Sequence, residues 1–298
     1  MVFKIVRRVI VFGAIAGLSA FLYFGYLFNE FQNQPISLQQ DSVFEIKKGS
    51  SIRKVAQQLA DLKLIDDPVM FIALAKLEGK ESSVKAGEYQ LVEGQTPLDL
   101  IQLFAQGDSV LYSLTIVEGW NFRQLLAAIR SDPVLIQTLP EDPSQVMDHL
   151  ELADEHPEGR FLPDTYHFPR GTTDKDFLLR AYRTMQKRLG EEWATRAENL
   201  PLKTPYEALI LASIVEKETG AAFERPLIAG VFIERLNRGM KLQTDPTIIY
   251  GLGETFDGDI RYRDLRKDTP YNTYLHKGLT PTPIAMPGID AIRAALHP

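Results

Sequence analysis

The sequence predicts an α+β fold: a single amino-terminal transmembrane helix, a small α+β unit, and a larger mixed α/β domain built around a central helix. Three observations support this. An uncharged apolar run occupies residues 9–28. Short strand patterns, glycines and capped amphipathic helices alternate from residue 42 onward. The chain of 298 residues is 45% hydrophobic and 24% charged, which is typical of a globular protein with one large or two modest domains.

Composition excludes several classes of function. The formal net charge of -6 and the lack of a long basic run argue against a nucleic-acid-binding protein. The chain contains no cysteine, so disulfides, thiolate nucleophiles and cysteine-based zinc sites are excluded.

The amino terminus predicts a membrane anchor. Lys4, Arg7 and Arg8 precede the apolar run of residues 9–28, and about 20 apolar residues span a bilayer core as a helix. A cleaved signal peptide is the alternative, but its apolar region is usually only about 7–15 residues. Positive residues favour the cytoplasmic side, so residues 1–8 are expected to be a cytoplasmic tail and everything after residue 28 to lie outside the cytoplasm.

The pattern of residues 29–108 predicts a linker followed by a compact unit. Residues 29–41 are polar and glutamine-rich, which is typical of a tether. Residues 42–108 show a strand ending at Gly49, two capped helices, a second strand in "AGEYQLVEG" and a third helix that begins at Thr96 and ends at Gly107.

The rest of the chain predicts a second small unit and a larger domain. Residues 109–155 contain "YSLTIVEGWNFRQLLAAI", a strand, glycine and capped helix in the order of the first unit, followed by a proline-rich connection. Residues 156–298 contain a long amphipathic helix over 174–200, a helix over 205–219 and another over 225–239. A loop-rich stretch follows, whose varied tyrosines, asparagines and prolines favour an ordered wall of a site.

The helix over 205–219 contains "LASIVEKETG", which ends in two glutamates. Thr204 is its predicted N-cap, Pro205 takes the first helical position, and Glu207 is expected to complete a capping box. At about 100° per residue, Glu218 falls within the arc of Ile210, Leu211, Ile214 and Val215, whereas Glu216 falls on the more mixed side beside Ala212 and Ser213.

Apolar surroundings raise the pKa of a carboxyl group, as a general acid requires, so this geometry favours Glu218 for chemistry. The alternative for Glu218 is a helix-end carboxylate bonded to an arginine. Glu216 is expected to be a surface or supporting acid.

Several motifs together resemble the endolytic murein transglycosylases, the YceG/MltG-like family. They are "ASIVEKET", "ERPLIAGVFIERLNRGMKLQTDPTIIYGLG", "YNTYLHKGL", "KAGEYQL" and "GRFLPDTYHF", in the family's order and over nearly the whole chain. The resemblance implies a transmembrane anchor over 9–28, a LysM-like subdomain over 42–108 and a transglycosylase catalytic domain over 156–298. It also implies cleavage of the MurNAc-β-1,4-GlcNAc bond of nascent peptidoglycan, leaving 1,6-anhydro-MurNAc ends.

The family's catalytic glutamate matches Glu218. The resemblance further suggests these cleft residues for binding substrate: Glu224, Gln243, Thr244, Asp245, Tyr250, Asn272 and Tyr274. Singly, each of them is also compatible with ordinary loop chemistry, and "TDP" at 244–246 with a simple turn. Phe161, Tyr166 and Phe168 are candidates for a sugar-stacking wall, with core packing as the alternative.

Two departures from the family pattern stand out. Thr280 and Thr282 replace other residues in "GLTPTPIAMPG". Family members also usually continue beyond the point that corresponds to Pro298, so we expect either that this sequence is truncated or that a carboxy-terminal piece of the fold is missing.

The implied mechanism needs one carboxyl group, no metal and no cofactor. The acid protonates the bridging oxygen, and the same carboxylate then takes the proton of the sugar's own 6-hydroxyl. Expected partners are glycan strands, membrane-bound peptidoglycan synthases and the inner (cytoplasmic) membrane, with the catalytic domain on the extracytoplasmic side.

The main alternative is a non-catalytic peptidoglycan-binding or scaffold protein. The five histidines lack zinc-hydrolase spacing, and the two S-x-x-K matches at 51–54 and 82–85 lack the K-T-G partner of acyl enzymes.

Overall fold

A computed structural model describes residues 2–38 and 40–298, with side chains for residue 12 and from residue 15 onward. The chain forms two compact units. The first comprises residues up to Tyr112 together with Pro169–Gly171, and the second comprises Ser113–Phe168 and Thr172–Pro298. The predicted mixed α and β content is confirmed.

The first unit has the predicted strand–helix–helix–strand–helix order after its amino-terminal helix. Its elements are α1 (Val2–Asn33), β1 (Ser42–Ile46), α2 (Ile52–Asp61), α3 (Pro68–Leu77), β2 (Gly87–Leu91) and α4 (Pro97–Gln106). Strands β1 and β2 pair antiparallel, with Phe44 opposite Tyr89. Ser51, Asp67 and Thr96 cap the three helices that follow α1. The sequence predicts Thr96 alone for the third helix, but leaves Ser50 or Ser51 and Asp66 or Asp67 open for the first two. The LysM-like character of this unit stays a prediction.

Helix α1 extends into the segment predicted as a linker. Phe31 and Ile36 are buried in the core of the first unit, and the Ile36 N–H donates to the Gln95 carbonyl at 2.7 Å. Within the part of the chain that the structure describes, none of the helices has both the length and the apolar character of a membrane span. The side chains of the predicted tail 1–8 and of residues 9–11, 13 and 14 of the predicted span lie outside the described part.

The second unit is mainly helical. Strands β3 (Leu111–Thr115) and β4 (Thr165–Pro169) form a two-stranded sheet at its start. Its helices are α5 (Phe122–Ser131), α6 (Val146–His149), α7 (Asp174–Ala194), α8 (Pro205–Glu218), α9 (Arg225–Asn237), α10 (Asp245–Leu252), α11 (Tyr262–Leu265) and α12 (Ile289–Leu296).

Helix α8 is the centre of this unit. Every residue from Ala208 to Val215 is buried, and α7, α9, α10 and α12 pack around it. Each fully buried aliphatic side chain contributes about 1.5–3 kcal/mol of transfer free energy, so α8 carries much of the core. Thr204 caps the helix as predicted, but Glu207 accepts from the Lys203 N–H at 2.5 Å instead of completing a capping box.

The structure decides two open alternatives in this unit and adds one helix that was not predicted. The "TDP" stretch begins helix α10 and is not a simple turn, because Pro246 occupies the first turn of the helix. Helix α12 lies where no helix was predicted. The aromatic residues of the proposed sugar-stacking wall, Phe161, Tyr166 and Phe168, are all buried and pack on Phe122 or Phe177.

Candidate active site

Glu218 is the last residue of α8 and its side chain is exposed. Its Oε1 accepts a hydrogen bond from the hydroxyl of Thr244, a buried residue that precedes α10. Thr244 stands at the N-cap of α10, yet its hydroxyl does not cap that helix. The side chain is therefore committed to Glu218 at the expense of the local role that its position predicts.

A network of threonines holds Thr244. Its N–H donates to the Thr273 hydroxyl at 3.1 Å, and its carbonyl accepts from the Thr247 hydroxyl at 2.7 Å. The hydroxyls of Thr247 and Thr273 are 2.8 Å apart. Gln243 precedes Thr244 with a φ of 53°, a left-handed conformation that non-glycine residues adopt mainly where surrounding contacts enforce it. The position of the Thr244 hydroxyl is therefore fixed before any ligand binds.

Asp245 and Tyr274 lie beside Glu218 and Thr244. The Tyr274 hydroxyl donates to Asp245 Oδ1 at 2.6 Å. That hydrogen bond, then burial, then the charges of Asp245 and Glu218 raise the pKa of Tyr274 to about 12. Tyr274 is therefore protonated at neutral pH and occupies one oxygen of Asp245, the nearest candidate for a second carboxylate.

Glu216 is the buried glutamate of the pair, contrary to the expectation from helix geometry. Its side chain is 5% exposed, and its Oε1 accepts from Arg225 Nη2 at 3.0 Å. The Gly288 N–H donates to its other oxygen at 2.9 Å. Burial raises the pKa of Glu216, and the bonds from Gly288 and Arg225 oppose that rise.

The reason for this exchange of roles is that α8 has no solvent-facing side between Ala208 and Val215. A helical wheel separates an apolar face from a polar one only when a polar face exists. At the end of α8 the neighbouring elements decide exposure, and they enclose Glu216 while leaving Glu218 free. The sequence allows an arginine as an alternative partner of Glu218. In the structure that arginine is Arg225, and it binds Glu216.

A cleft of about 550 Å³ adjoins the site. Its lining includes Lys217 and Pro246, the chain neighbours of Glu218 and Asp245, together with Tyr250, Tyr271 and Glu158. The pKa of Glu158 is raised to about 7 because the carboxyl is buried, although hydrogen bonds from Tyr250 and from backbone N–H groups oppose the rise. Burial and the nearby Glu158 charge also raise the pKa of Tyr250.

One group of the predicted substrate-binding residues lies around Glu218 or in the cleft wall, and Asn272 stands apart from it. Thr244, Asp245 and Tyr274 gather around Glu218, exposed Gln243 adjoins Thr244 in the chain, and Tyr250 lines the cleft. Glu224 accepts from the hydroxyl of Thr219, the residue after Glu218, at 2.7 Å.

Asn272 has a structural environment. It is buried, its Nδ2 donates to the carbonyls of Leu265 and Lys267, and its Oδ1 accepts from two backbone N–H groups. It organises the loop that carries Thr273 and Tyr274.

Sequence reasoning missed Glu158, Arg225 and Thr273. No local sequence pattern marks Glu158, which precedes Gly159. That glycine has a φ of 77°, and a Cβ there would lie 2.6 Å from Pro283 Cβ, so only glycine fits.

Thr282 is one of the two departures from the family pattern. Its hydroxyl lies 2.8 Å from the Tyr271 hydroxyl.

Comparisons with known proteins agree on one family. A sequence model of the YceG-like family matches residues 44–298. A Bacillus subtilis (strain 168) protein named endolytic murein transglycosylase is 32% identical over 271 residues, covering 85% of this chain and 74% of its own length. A Streptococcus pneumoniae (serotype 2, strain D39) protein of the same name is 29% identical, covering 95% of this chain and 57% of its own length.

The fold is also similar to a solved structure. The 2.6 Å crystal structure of a protein described as yceG-like, from Listeria monocytogenes, superimposes with a TM-score of 0.53 at 28% sequence identity. The match covers 88% of this chain and 91% of that chain.

Replacing Arg225 by methionine should strongly destabilise the second unit. The change leaves Glu216 buried without its cation, and breaking a buried ion pair typically costs about 3–5 kcal/mol. Arg293→Met is the matched control, because Arg293 and its partner Glu192 are more exposed, with side chains 49% and 14% accessible, and exposed pairs contribute about 0–1 kcal/mol. Denaturant unfolding measures both; equal losses in the two variants would contradict this assignment.

Proposed function

The chain belongs to the YceG-like family, and on that premise we propose that it cuts peptidoglycan glycan strands internally as a lytic transglycosylase. The proposed cut is at the MurNAc-β-1,4-GlcNAc bond and leaves a 1,6-anhydro-MurNAc end. The observation that carries the proposal is the placement of Glu218, an exposed glutamate whose Oε1 is held by the buried Thr244 hydroxyl. Its Oε2 is left to face the glycosidic oxygen.

The proposed reaction uses Glu218 twice. Its carboxyl group first donates a proton to the bridging oxygen, the bond from that oxygen to the anomeric carbon breaks, and the GlcNAc side leaves with a free 4-hydroxyl. The 6-hydroxyl of the MurNAc residue then bonds to the anomeric carbon and gives its proton back to the Glu218 carboxylate. No water is consumed, and the glutamate ends in its starting state.

The surroundings of Glu218 suit a mechanism with one acid. A glycoside hydrolase normally uses two carboxyl groups, one as general acid and one as base or nucleophile. Asp245 Oδ1 accepts a 2.6 Å hydrogen bond from Tyr274, and Glu216 is enclosed with Arg225. In this proposal Tyr274 and Asp245 form a polar wall for sugar hydroxyl groups, and Thr244 orients the catalytic glutamate.

Replacing Glu218 by glutamine should lower the rate of strand cleavage at least about 100-fold, because the amide cannot transfer a proton. The exposed side chain makes no contact that the fold requires, so thermal stability should be close to that of the wild type. Glu234→Gln, an exposed glutamate on α9 paired with Arg238, is the matched control. Release of soluble fragments from purified glycan strands is the assay; near-normal release by the Glu218 variant would refute the assignment.

We further propose that the chain is a single-pass protein of the inner (cytoplasmic) membrane with its catalytic unit outside the cytoplasm. The support is the order of Lys4, Arg7 and Arg8 before the apolar run of residues 9–28, and the exposure of large apolar side chains such as Phe12, Phe21 and Leu22 on α1. From this place the enzyme would cut strands as membrane-bound synthases extend them and so end their elongation.

Deleting residues 1–28 should move the protein from the membrane fraction to the soluble fraction, since the deletion removes the apolar surface proposed to hold it in the bilayer. Fractionation of cells that express the full and shortened chains measures this. A full-length chain found in the soluble fraction would contradict the proposed anchor.

A further inference from the structure

Glu158 is a buried acid in the cleft wall that the proposed reaction does not use. Its side chain is 4% exposed and lies within the 550 Å³ cleft lining. Among the described groups that shift its pKa, there is no lysine or arginine. Buried carboxylates are normally paired with a cation, so an unpaired one in a cleft is a candidate for function.

Glu158 accepts hydrogen bonds from two backbone N–H groups, those of Phe122 and Gly159, and from the Tyr250 hydroxyl. Oε1 accepts from the Phe122 N–H, at the start of α5, at 3.0 Å. Oε2 accepts from the Tyr250 hydroxyl at 3.1 Å. A backbone N–H can only donate, whereas a tyrosine hydroxyl can donate or accept. A proton on Oε2, the oxygen that faces Tyr250, reverses the direction of the bond with the tyrosine hydroxyl.

We propose that Glu158 is a positioning residue for glycan binding, which decides whether the Tyr250 hydroxyl donates to the carboxylate or to a sugar in the cleft. With Glu158 ionised, the Tyr250 proton points to Oε2. With Oε2 protonated, Oε2–H donates to Tyr250, and the Tyr250 proton turns to another acceptor: a sugar hydroxyl or N-acetyl oxygen in the cleft, in place of the Thr282 hydroxyl that also hydrogen-bonds Tyr250. This inference rests on the proposed function.

The raised pKa of Glu158, about 7, places this change within the physiological range. The titratable and charged side chains around it are those of Tyr206, Tyr250, Tyr271, His156, Arg123, Lys217 and Glu254. Burial lowers the pKa of His156 below its usual 6.5, so its titration lies on the acid side of that of Glu158.

Glycan affinity should fall as pH rises through about 7, the pKa of Glu158. Losing one neutral hydrogen bond predicts a dissociation constant about 2- to 10-fold higher on the alkaline side. The probe is purified, peptide-free glycan strands, titrated between about pH 5.5 and 8.5, either side of that pKa. All binding is measured with the Glu218→Gln change present, which removes both cleavage and the titration of Glu218.

Two variants test the direction of the hydrogen bond. In Glu158→Gln the Phe122 N–H holds the amide oxygen, so the amide NH₂ faces Tyr250 and mimics the protonated acid. Its affinity should stay at the acid-side value across the range. Tyr250→Phe should show the alkaline-side affinity throughout. Glu151→Gln, an exposed glutamate paired with Lys175, is the control and should keep the pH dependence of the parent.

A pH-independent affinity in the parent, or an unchanged pH dependence in Glu158→Gln or Tyr250→Phe, overturns the inference. If one of the variants fails to fold, the pH dependence of glycan affinity in the parent protein still tests the inference. Binding that shows no pH dependence leaves the proposed function intact, whereas undiminished cleavage by Glu218→Gln would refute that function and leave the binding result unaffected.

Discussion

The buried ion pair between Arg225 and Glu216 is the constraint on which the candidate active site depends. Helix α8 is enclosed along Ala208–Val215, so it cannot rotate or shift without disturbing most of the core of its unit. Arg225 and the Gly288 N–H then bind Glu216 at the point where the helix leaves the core. Glu218, two residues later, therefore projects from a fixed backbone. A buried pair of this kind adds little net stability but is costly to break, and that rigidity suits a catalytic residue.

The other half of the site is built from chain far from α8 in sequence. Thr244 reaches Glu218 from the start of α10, and Thr273 and Thr247 hold Thr244 in place. Tyr274 engages Asp245 on the same side. These bonds hold the Thr244 hydroxyl on one oxygen of Glu218 and leave the other oxygen available. The arrangement separates the two acids of "EKET": Glu216 binds Arg225 at the helix end, and the exposed Glu218 is the one proposed to act.

Local sequence patterns predicted the helices and strands well. Tertiary contacts decided which side chains are buried and which partners they bind, and local patterns could not predict these. The caps Ser51, Asp67, Thr96 and Thr204 were readable because a cap depends on a few adjacent residues. The family resemblance assigns Glu218 the catalytic role, which stays a prediction. The helical wheel gave Glu218 the wrong surroundings, since a helix buried on all sides has no polar face. Arg225, Thr273 and Glu158 act through partners 9, 29 and 92 residues away, and no spacing rule in the sequence links such pairs.

The central claim is that the substrate, not water, supplies the nucleophile. Mass spectrometry of glycan fragments produced in water enriched in oxygen-18 tests it most directly. A lytic transglycosylase forms 1,6-anhydro ends that are lighter than hydrolysis products by one water and carry no heavy oxygen. Reducing ends that contain oxygen-18, with no anhydro ends, would show that water attacks the anomeric carbon and would contradict the assignment of both steps to Glu218.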